Sequence, residues 1–273
     1  MRVESLHTYP VKGAHRLDHP SAQVEPWGLA GDRRWMLVDA DGTGVTQREV
    51  SALATLQPVP TAHGLTLRAA GRADLTVPEP VDGDPVEVRV FSNRTTTTAR
   101  WAGAAADAWL SAALAREVRL TWLGEPDAMA AHRPLRREGD RVSFADAYPL
   151  LLANAASLVA VNDWLAEAGD PAVPMTRFRP NVVVSGAPAW AEDDWIGRRL
   201  CLGGLAFRVA QPCDRCVVTT IDQETGEKGR QPLFVLGRHR RRPDGLLFGV
   251  HLIPDEVGQV RVGDPVELPA RVA

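Results

Sequence analysis

The amino-acid sequence predicts a mainly β fold with a few helices, an α+β class divided into two parts. Three observations predict it. Most of the 273 residues fall into short β-rich runs, two stretches have helical spacing, and a polar segment separates the halves. This segment, residues 124–147, is rich in turn formers and is interpreted as a long connection or lid. We therefore expect one domain over residues 1–120 and a second over residues 121–273.

Strands dominate the prediction for the first hundred residues. The runs MRVESLHTYPV, WMLVDADGTGVTQ, GLTLRAAGRADLTV and PVEVRVF are separated by Gly, Asp and Pro turns, a spacing typical of a barrel or a sandwich. Residues 39–44 predict a hairpin loop, because Asp-Gly supplies the positive φ that such turns need. A helix is predicted from about Gly103 to Arg116. Its apolar face is predicted from residues at helical spacing: Ala105, Trp109, Ala112 and Ala113.

The second half is also predicted to be mainly β. A helix should follow Asn154, whose side chain suits an N-cap, and Leu158, Val161 and Leu165 recur at helical spacing behind it. The runs RPNVVVSG, LCLGGLAFRVA, CVVTTID and GQVRVGDPVEL predict strands. In the last run, Gly-Asp at residues 263–264 is the expected turn into a short final strand.

Composition excludes several classes of partner. A hydrophobic content of 45%, 24% charged residues and a net charge of −3 are typical of a soluble globular protein, and they favour neither nucleic acid nor a membrane. The N-terminal MRVESLHTYPVKG lacks the apolar stretch of an export signal, and no run approaches the ~18 apolar residues of a spanning helix. We therefore expect a cytoplasmic protein with reduced thiols.

The chain has two cysteines in C-x-x-C spacing, Cys213 and Cys216, within QPCDRCVVTTID. A zinc site needs four ligands, but Cys201 is the only other cysteine and the seven histidines form no ligand-like pair. A thioredoxin-like pair would begin a helix, whereas CVVTTID is predicted to be a strand. Two interpretations remain open, since the cysteines can be small buried apolar residues or Arg215 can favour a metal-binding thiolate at Cys216.

Five motifs together resemble those of MOSC proteins with an N-terminal β-barrel domain. They are YPVKG, GDRRWMLVD, FRPNVVVSG, PCDRCVVTTID with TG following, and VGDPVEL, and they occur in this order from about Val3 to Leu268. The group includes the mitochondrial amidoxime-reducing component and the C-terminal domain of molybdenum cofactor sulfurase. The resemblance implies an N-terminal β-barrel-like domain, a MOSC β-barrel domain and a bound molybdenum cofactor, a pterin dithiolene that carries one metal.

The resemblance also implies which residues hold that cofactor. The second cysteine of the segment is the family's protein ligand to molybdenum, which here is Cys216. One thiolate is enough, because molybdenum in this setting accepts sulfur ligands and the dithiolene supplies two more. Fixed positive charge for the pterin phosphate would come from Lys12, one of only two lysines, and from Arg33 and Arg179.

Further cofactor contacts are implied at four positions. Asn154 should open a helix whose free N–H groups can bind an anion, and Asn181 should begin a buried strand. Asp214 and Arg215 flank the ligand cysteine and could meet the pterin.

The sequence departs from the amidoxime reducers at two positions. Gly13 in YPVKG stands where those proteins often carry a serine, so that the hydroxyl contact would be lost or taken over by a backbone N–H. His251 in LFGVHL stands where they have a tyrosine near the metal. We expect His251 to be a proton donor, because its unperturbed pKa is near ~6.5, or otherwise a half-buried strand residue.

These implications lead to three hypotheses. The first is a molybdenum-dependent oxidoreductase that reduces N-hydroxylated compounds such as amidoximes, hydroxylamines and N-hydroxylated bases. The second is a module that carries or delivers the cofactor or its sulfur without turnover. The third is a cofactor-free binding barrel with structural cysteines.

The source of electrons is expected to be an external electron-transfer protein. The sequence has no G-x-G-x-x-G between a strand and a helix, and its three cysteines are too few for a four-thiolate cluster beside a metal-bound Cys216. The basic run at residues 238–242, RHRRR, is interpreted as a solvated loop or as a docking patch for an acidic redox partner.

Overall fold

A computed structural model describes residues 1–93, 96–124 and 137–269 of the chain. Strands make up most of its regular structure, so the mainly β class is confirmed. Within these residues no helix has both the length and the apolar composition needed to cross a membrane. The cytoplasmic location stays a prediction.

The regular elements follow one another in two groups. The first half holds β1 (Arg2–Thr8), β2 (Leu17–His19), β3 (Ser21–Glu25), β4 (Gly28–Leu29), β5 (Trp35–Val38), β6 (Gln57–Thr61), β7 (Gly64–Arg68), β8 (Leu75–Pro78), β9 (Pro85–Val88), β10 (Thr97–Trp101), α1 (Ala104–Leu114) and β11 (Arg119–Trp122). The second half holds β12 (Leu150–Asn154), α2 (Ala155–Glu167), β13 (Val182–Ser185), β14 (Arg199–Leu202), β15 (Leu205–Asp214), α3 (Leu233–His239), β16 (Arg241–Arg242), β17 (Gly245–Pro254), β18 (Gly258–Arg261) and β19 (Val266–Glu267). Short 3-10 helices occupy Ser51–Thr55, Met175–Phe178, Ala191–Trp195 and Val217–Thr220.

The large sheet combines strands from both halves of the chain. Its order is β19-β14-β15-β17-β12-β13-β1-β2, with β16 paired to β17. β12 and β13 are parallel, and α2 connects them as a βαβ crossover. β1 enters the sheet antiparallel to β13, with Leu6 opposite Val182. The core beneath this sheet therefore joins Val3 and Leu6 to Leu152 and Val250. The first strands fold with the second half, and the boundary at residue 120 stays a prediction.

The remainder of the first half forms smaller sheets around its own core. One has the order β5-β11-β10-β9 and another the order β6-β7-β8. The predicted hairpin loop before β6 is confirmed, because Gly42 has a positive φ of 74° and the Asp39 side chain accepts from the backbone of Thr43 at 2.9 Å.

Helix α1 forms within one residue of its predicted start, but the predicted apolar face was wrong. The buried residues are Ala106, Leu110 and Leu114, one position beyond the face expected from Ala105, Trp109, Ala112 and Ala113. The larger leucines take the core positions, because burying them removes more apolar surface from water than burying alanine does. Trp109 instead lies at the edge, where its Nε1 donates to the Ala73 carbonyl at 2.8 Å.

Two strand predictions of the second half were wrong in detail. LCLGGLAFRVA is a hairpin of β14 and β15, and Gly203 and Gly204 turn it with φ of 56° and 88°. The segment after Cys216 is a 3-10 helix, Val217–Thr220, rather than a strand. Its threonine hydroxyls bond back to carbonyls three residues earlier, which stabilises a turn in spite of the β-branched sequence.

The basic run at residues 238–242 is not a loop. Arg238 and His239 end α3, and Arg241 and Arg242 form the short strand β16. Between them Arg240 is buried, with its guanidinium 2.6 Å from Asp193 and 4.2 Å from the centre of the Trp190 ring. The run therefore divides into exposed cations and one structural ion pair.

The connection predicted over residues 124–147 includes residues 125–136, which lie outside the described residues. The part of this connection that follows, residues 137–147, is not a polar lid. Val142, Phe144 and Ala145 are buried in a core cluster together with Met36 of β5. This segment therefore packs against the first half before the chain enters β12.

Candidate cofactor site

A cavity of about 520 Å³ lies between the two halves of the chain. The first half contributes residues from the loop after β1 and from the segments around β5 and the Ser51–Thr55 helix, and the second half contributes β15, β17 and the segments before β12 and β13. The predicted site residues that line it are Lys12, Gly13, Arg33, Arg179, Asn181, Asp214, Arg215, Cys216 and His251. Residues up to 239 positions apart in the sequence therefore share one cavity.

Two arginines of the cavity have a left-handed backbone. Arg33 and Arg179 have φ of 50° and 52°, a conformation that costs a non-glycine residue roughly 1–2 kcal/mol. Their guanidinium carbons lie 4.8 and 4.1 Å from the centre of the Tyr9 ring. Such strain persists where the surroundings require it, and it accumulates at functional sites.

Tyr9 itself is fully buried between these cations. Its hydroxyl donates to the Pro180 carbonyl at 3.0 Å, and its backbone N–H donates to Asp32 at 2.8 Å. Burial raises the pKa of Tyr9 to about 12, although both arginines oppose the shift. The phenol therefore stays neutral and presents its ring face to two positive charges.

The guanidinium of Arg179 is held by groups from both halves. One nitrogen donates to Gln223 Oε1 at 2.7 Å and another to the Ala14 carbonyl at 2.9 Å. Gln223 in turn pairs with Gln47 through two hydrogen bonds of 3.0 Å. Burial lowers the pKa of Arg179 to about 10, so that the side chain remains a cation at neutral pH.

A second charged group combines Lys12, Asp146 and Arg48. Lys12 is buried, donates to the Phe144 carbonyl at 2.8 Å and forms an ion pair with Asp146. Arg48 approaches the other oxygen of Asp146 at 3.7 Å. Desolvation in the cavity opposes ionisation of Asp146, but Lys12 and Arg48 outweigh it and hold its pKa well below the usual range. The carboxylate is thus ionised between two cations.

Cys216 stands at the N-cap position of the Val217–Thr220 helix and lines the cavity. Its side chain is half-buried, and Arg48 Nη2 donates to its Sγ at 3.3 Å. The sulfur and its positive partner come from opposite halves of the chain.

Cys213 has a different set of partners. Arg215 Nη1 donates to its Sγ at 2.8 Å, and the ring of His251 hydrogen-bonds to it from the neighbouring strand β17. Burial raises the pKa of this thiol, but the charge of Arg215 and then that of His251 outweigh burial and lower the pKa to about 7. The His251 ring centroid also lies 5.2 Å from that of Tyr148.

The remaining predicted residues line the cavity in supporting positions. Asn181 Oδ1 accepts from Arg33 at 3.2 Å and from the Leu151 backbone at 3.1 Å, so this side chain orients the arginine. Asp214 accepts from the Leu246 backbone at 2.9 Å. Gly13 has a φ of 82°, and a Cβ there would lie 2.7 Å from Leu53 Cδ2. A serine at this position would be strained.

The structure places Asn154 outside the cavity lining. The predicted N-cap is confirmed, because its Oδ1 accepts from the Ala156 backbone at 3.1 Å. Its Nδ2 donates to the Pro188 carbonyl at 2.7 Å and to the buried Glu192 at 3.1 Å. Both ends of the amide are engaged inside the protein, so we leave Asn154 out of the cofactor site.

Sequence reasoning missed several cavity residues, above all Arg48 and Asp146. Arg48 lies outside the motifs and is one of 29 arginines, so no local signal marks it. Asp146 lay within the segment interpreted as a connection. Gln47 and Gln223 are buried and bonded to each other, although each lies in a polar stretch of sequence.

The arrangement fits a large anionic, sulfur-binding group better than a metal held by protein alone. Among the described residues no three His, Cys, Asp or Glu side chains are grouped to hold a metal ion. The cavity instead offers the sulfurs of Cys213 and Cys216 and several cations. Among the described residues, His251 Nδ1 and Arg215 Nε are buried polar atoms without a hydrogen-bond partner.

Comparison with known proteins gives concordant matches over nearly the whole chain. Residues 1–117 match the family described as the MOSC N-terminal beta barrel domain, and residues 139–267 match the MOSC domain. Mitochondrial amidoxime-reducing component 1 of Homo sapiens is 31% identical over 97% of this chain and 82% of its own. Mitochondrial amidoxime reducing component 2 of Homo sapiens is 30% identical, and the match again covers 97% of this chain and 82% of the relative's length. Molybdenum cofactor sulfurase of Oryza sativa subsp. japonica is 28% identical over 94% of this chain and 33% of its own.

Proposed function

This chain belongs to the MOSC family, and on that premise we propose that it is a molybdenum-cofactor-dependent reductase of N-hydroxylated compounds. The observation that carries the proposal is the cavity between the halves, which combines the Cys216 sulfur with the fixed cations Lys12, Arg33 and Arg179. Relatives named amidoxime-reducing components support the choice of reaction. The substrates would be amidoximes, hydroxylamines and N-hydroxylated bases.

The cavity residues suit the binding of the cofactor. Cys216 would be the protein ligand to the metal, with Arg48 holding its Sγ through a hydrogen bond. Lys12, Arg33 and Arg179 would bind the phosphate and the polar edge of the pterin, because guanidinium groups match such oxygens in charge and geometry. Asn181 and Gln223 hold the two arginines in place.

The reaction consumes two electrons and two protons for each N-hydroxy group. The N–O bond breaks, an N–H bond forms, and the oxygen leaves as water. When bound, the molybdenum cofactor would supply the two-electron exchange.

The protein would supply protons and exclude water. His251 lines the cavity, so a proton held on its ring would be able to pass to the departing hydroxyl. Phe91, Tyr148 and Phe178 line the same cavity and would limit the entry of water. Electrons would come from an external electron-transfer protein.

The test is cofactor analysis together with turnover. Protein produced in cells that make the cofactor should contain molybdenum and pterin, and it should reduce benzamidoxime with reduced methyl viologen as donor. Cys216→Ser should abolish both properties, whereas Cys201→Ser, on β14 and outside the cavity, should retain them.

The other outcomes separate the alternatives. Molybdenum binding without reduction of any N-hydroxylated substrate would indicate the carrier or delivery module, which the sulfurase relative makes the second candidate. Protein that binds neither molybdenum nor pterin would indicate the cofactor-free barrel.

A further inference from the structure

An exposed aromatic ring on helix α3 lies between two arginines, one that precedes the helix and one in its last turn. Phe234 is 40% exposed, and the guanidinium carbons of Arg230 and Arg238 lie 4.3 and 4.5 Å from its ring centre. Aromatic and arginine side chains are the residues most enriched at the energetic centre of protein interfaces. A large exposed ring with cations on it therefore has the composition of a binding surface.

More cations surround this ring. Arg241 lies against α3 at Gly237, and Arg242 follows it on β16. Lys228 precedes Arg230 and is exposed as well. None of these five cations forms an ion pair with a carboxylate in the described parts of the chain. The exposed carboxylates of the same stretch are Glu227 and Asp244, so positive charge prevails here on a chain of net charge −3.

The basic surface is joined directly to the segment of Cys216. The Gly229 backbone donates to the Thr220 carbonyl at 2.9 Å, which fixes Lys228 and Arg230 beside the Val217–Thr220 helix. That helix begins immediately after Cys216, and its first residue, Val217, is 47% exposed. A molecule docked on this surface would thus lie next to the proposed metal ligand.

A series of contacting aromatic rings also connects α3 to the cavity. Phe178, which lines the cavity, stacks on Phe248 with centroids 3.7 Å apart, and Phe248 contacts Trp190 edge-on at 6.1 Å. Trp190 stacks on Trp164 at 5.2 Å, and Trp164 stacks on His239 of α3 at 4.3 Å. Closely packed rings leave little freedom for α3, so the surface and the cavity keep one geometry.

We propose that the surface formed by Phe234, Val217 and the cations Lys228, Arg230, Arg238, Arg241 and Arg242 docks a small acidic electron-transfer protein. The inference rests on the proposed reductase function and names its partner surface. Each one-electron carrier is oxidised on docking, and two of them reduce one substrate. Charge complementarity accelerates encounter and is screened by salt. The buried Arg240 takes no part, because it is bound to Asp193.

Binding can be measured without turnover. The probes are a plant-type ferredoxin and a flavodoxin, titrated calorimetrically into the protein at about 0.02 M and about 0.5 M salt. At low salt, Arg238→Glu/Arg241→Glu should weaken binding by about tenfold or more, and the difference should shrink at high salt. The matched control is Arg2→Glu/Arg261→Glu, which makes the same charge change at exposed positions elsewhere. Phe234→Ala should also weaken binding, whereas Val81→Ala, at a more exposed apolar site, should not.

Turnover separates failure of this surface from failure of the reductase proposal. All four variants should keep the wild-type rate of benzamidoxime reduction with reduced methyl viologen, and the patch variants alone should lose rate with the carriers. Equal binding by patch and control variants, or no binding of either carrier to the wild type, would overturn the docking surface. Absence of viologen-driven reduction by the wild type would overturn the reductase proposal instead.

Discussion

The two cysteines of the cavity lie three residues apart but differ in where their partners come from. On the Cys213 side, Arg215 is two residues away and His251 is on the adjacent strand β17. On the Cys216 side, Arg48 is 168 residues away in the first half, and it also approaches Asp146. The partners of Cys213 thus come from the second half of the chain, whereas Cys216 has a partner from the first half.

Because of this difference, we expect the two cysteines to have different roles. The Cys213 side couples a thiol of pKa about 7 to His251, whose Nδ1 has no hydrogen-bond partner in the part of the chain that the structure describes, an arrangement suited to holding protons. The Cys216 side combines a half-buried sulfur with the fixed charges Lys12, Arg48 and Asp146, an arrangement suited to holding a metal-bearing anion. Cofactor retention should therefore depend on the junction, and proton transfer on the second half.

The largest effect expected from this comparison concerns the two sulfurs themselves. Cys216→Ser should reduce bound molybdenum to background and abolish turnover, because it removes the proposed metal ligand. Cys213→Ser should leave the molybdenum content close to that of wild type. Elemental analysis of the two purified variants decides the assignment, and the opposite result would reverse it.

The next effect is expected at His251. Replacing His251 with Gln should lower kcat for benzamidoxime about 10²-fold, since a positioned proton donor contributes at least this much, and should leave molybdenum content unchanged. His63→Gln, at an exposed position, is the control. A parallel loss of metal and kcat would mean that His251 supports cofactor binding rather than proton transfer.

A smaller effect is expected from Arg48. Arg48→Met removes the donor to Cys216 Sγ and should weaken cofactor retention about tenfold, the lower end for groups that support a metal ligand. Arg89→Met, which removes a hydrogen bond to Thr43 away from the cavity, should have no such effect. Retention is measured as molybdenum remaining after dialysis, and equal retention by both variants would contradict the role of Arg48.

The smallest effect is a shift in the titration of Cys213. Its thiol should react with iodoacetamide with a midpoint near pH 7, because the thiolate predominates above its pKa of about 7. Arg215→Met should move the midpoint upward, towards the ordinary ~8.5 of a free thiol, since the main charge that lowers this pKa is lost. Mass spectrometry of the Cys213 peptide follows the reaction, with Arg177→Met as the control from the same region. An unchanged midpoint would assign the shift to another group.

Much of the site could be predicted because its residues lie in short motifs. Lys12, Arg33, Arg179 and Cys216 were predicted from four separate segments, and all four line one cavity. Local patterns also predicted the Asn154 cap and the buried strand after Asn181. They did not indicate that the Asn154 Nδ2 donates its hydrogen bonds to the Pro188 carbonyl and to Glu192 inside the protein.

The sequence by itself determined the mainly β class and the family, because strand periodicity and motif spacing are properties of neighbouring residues. Only the tertiary structure decided that Arg48 and Asp146 belong to the site, that Arg240 is buried, and that Val217–Thr220 turns instead of extending. The physical reason is that charge and burial depend on partners brought together from distant segments. Arg48 becomes a partner of Cys216 only when the first strands pair with the second half and close the cavity between them.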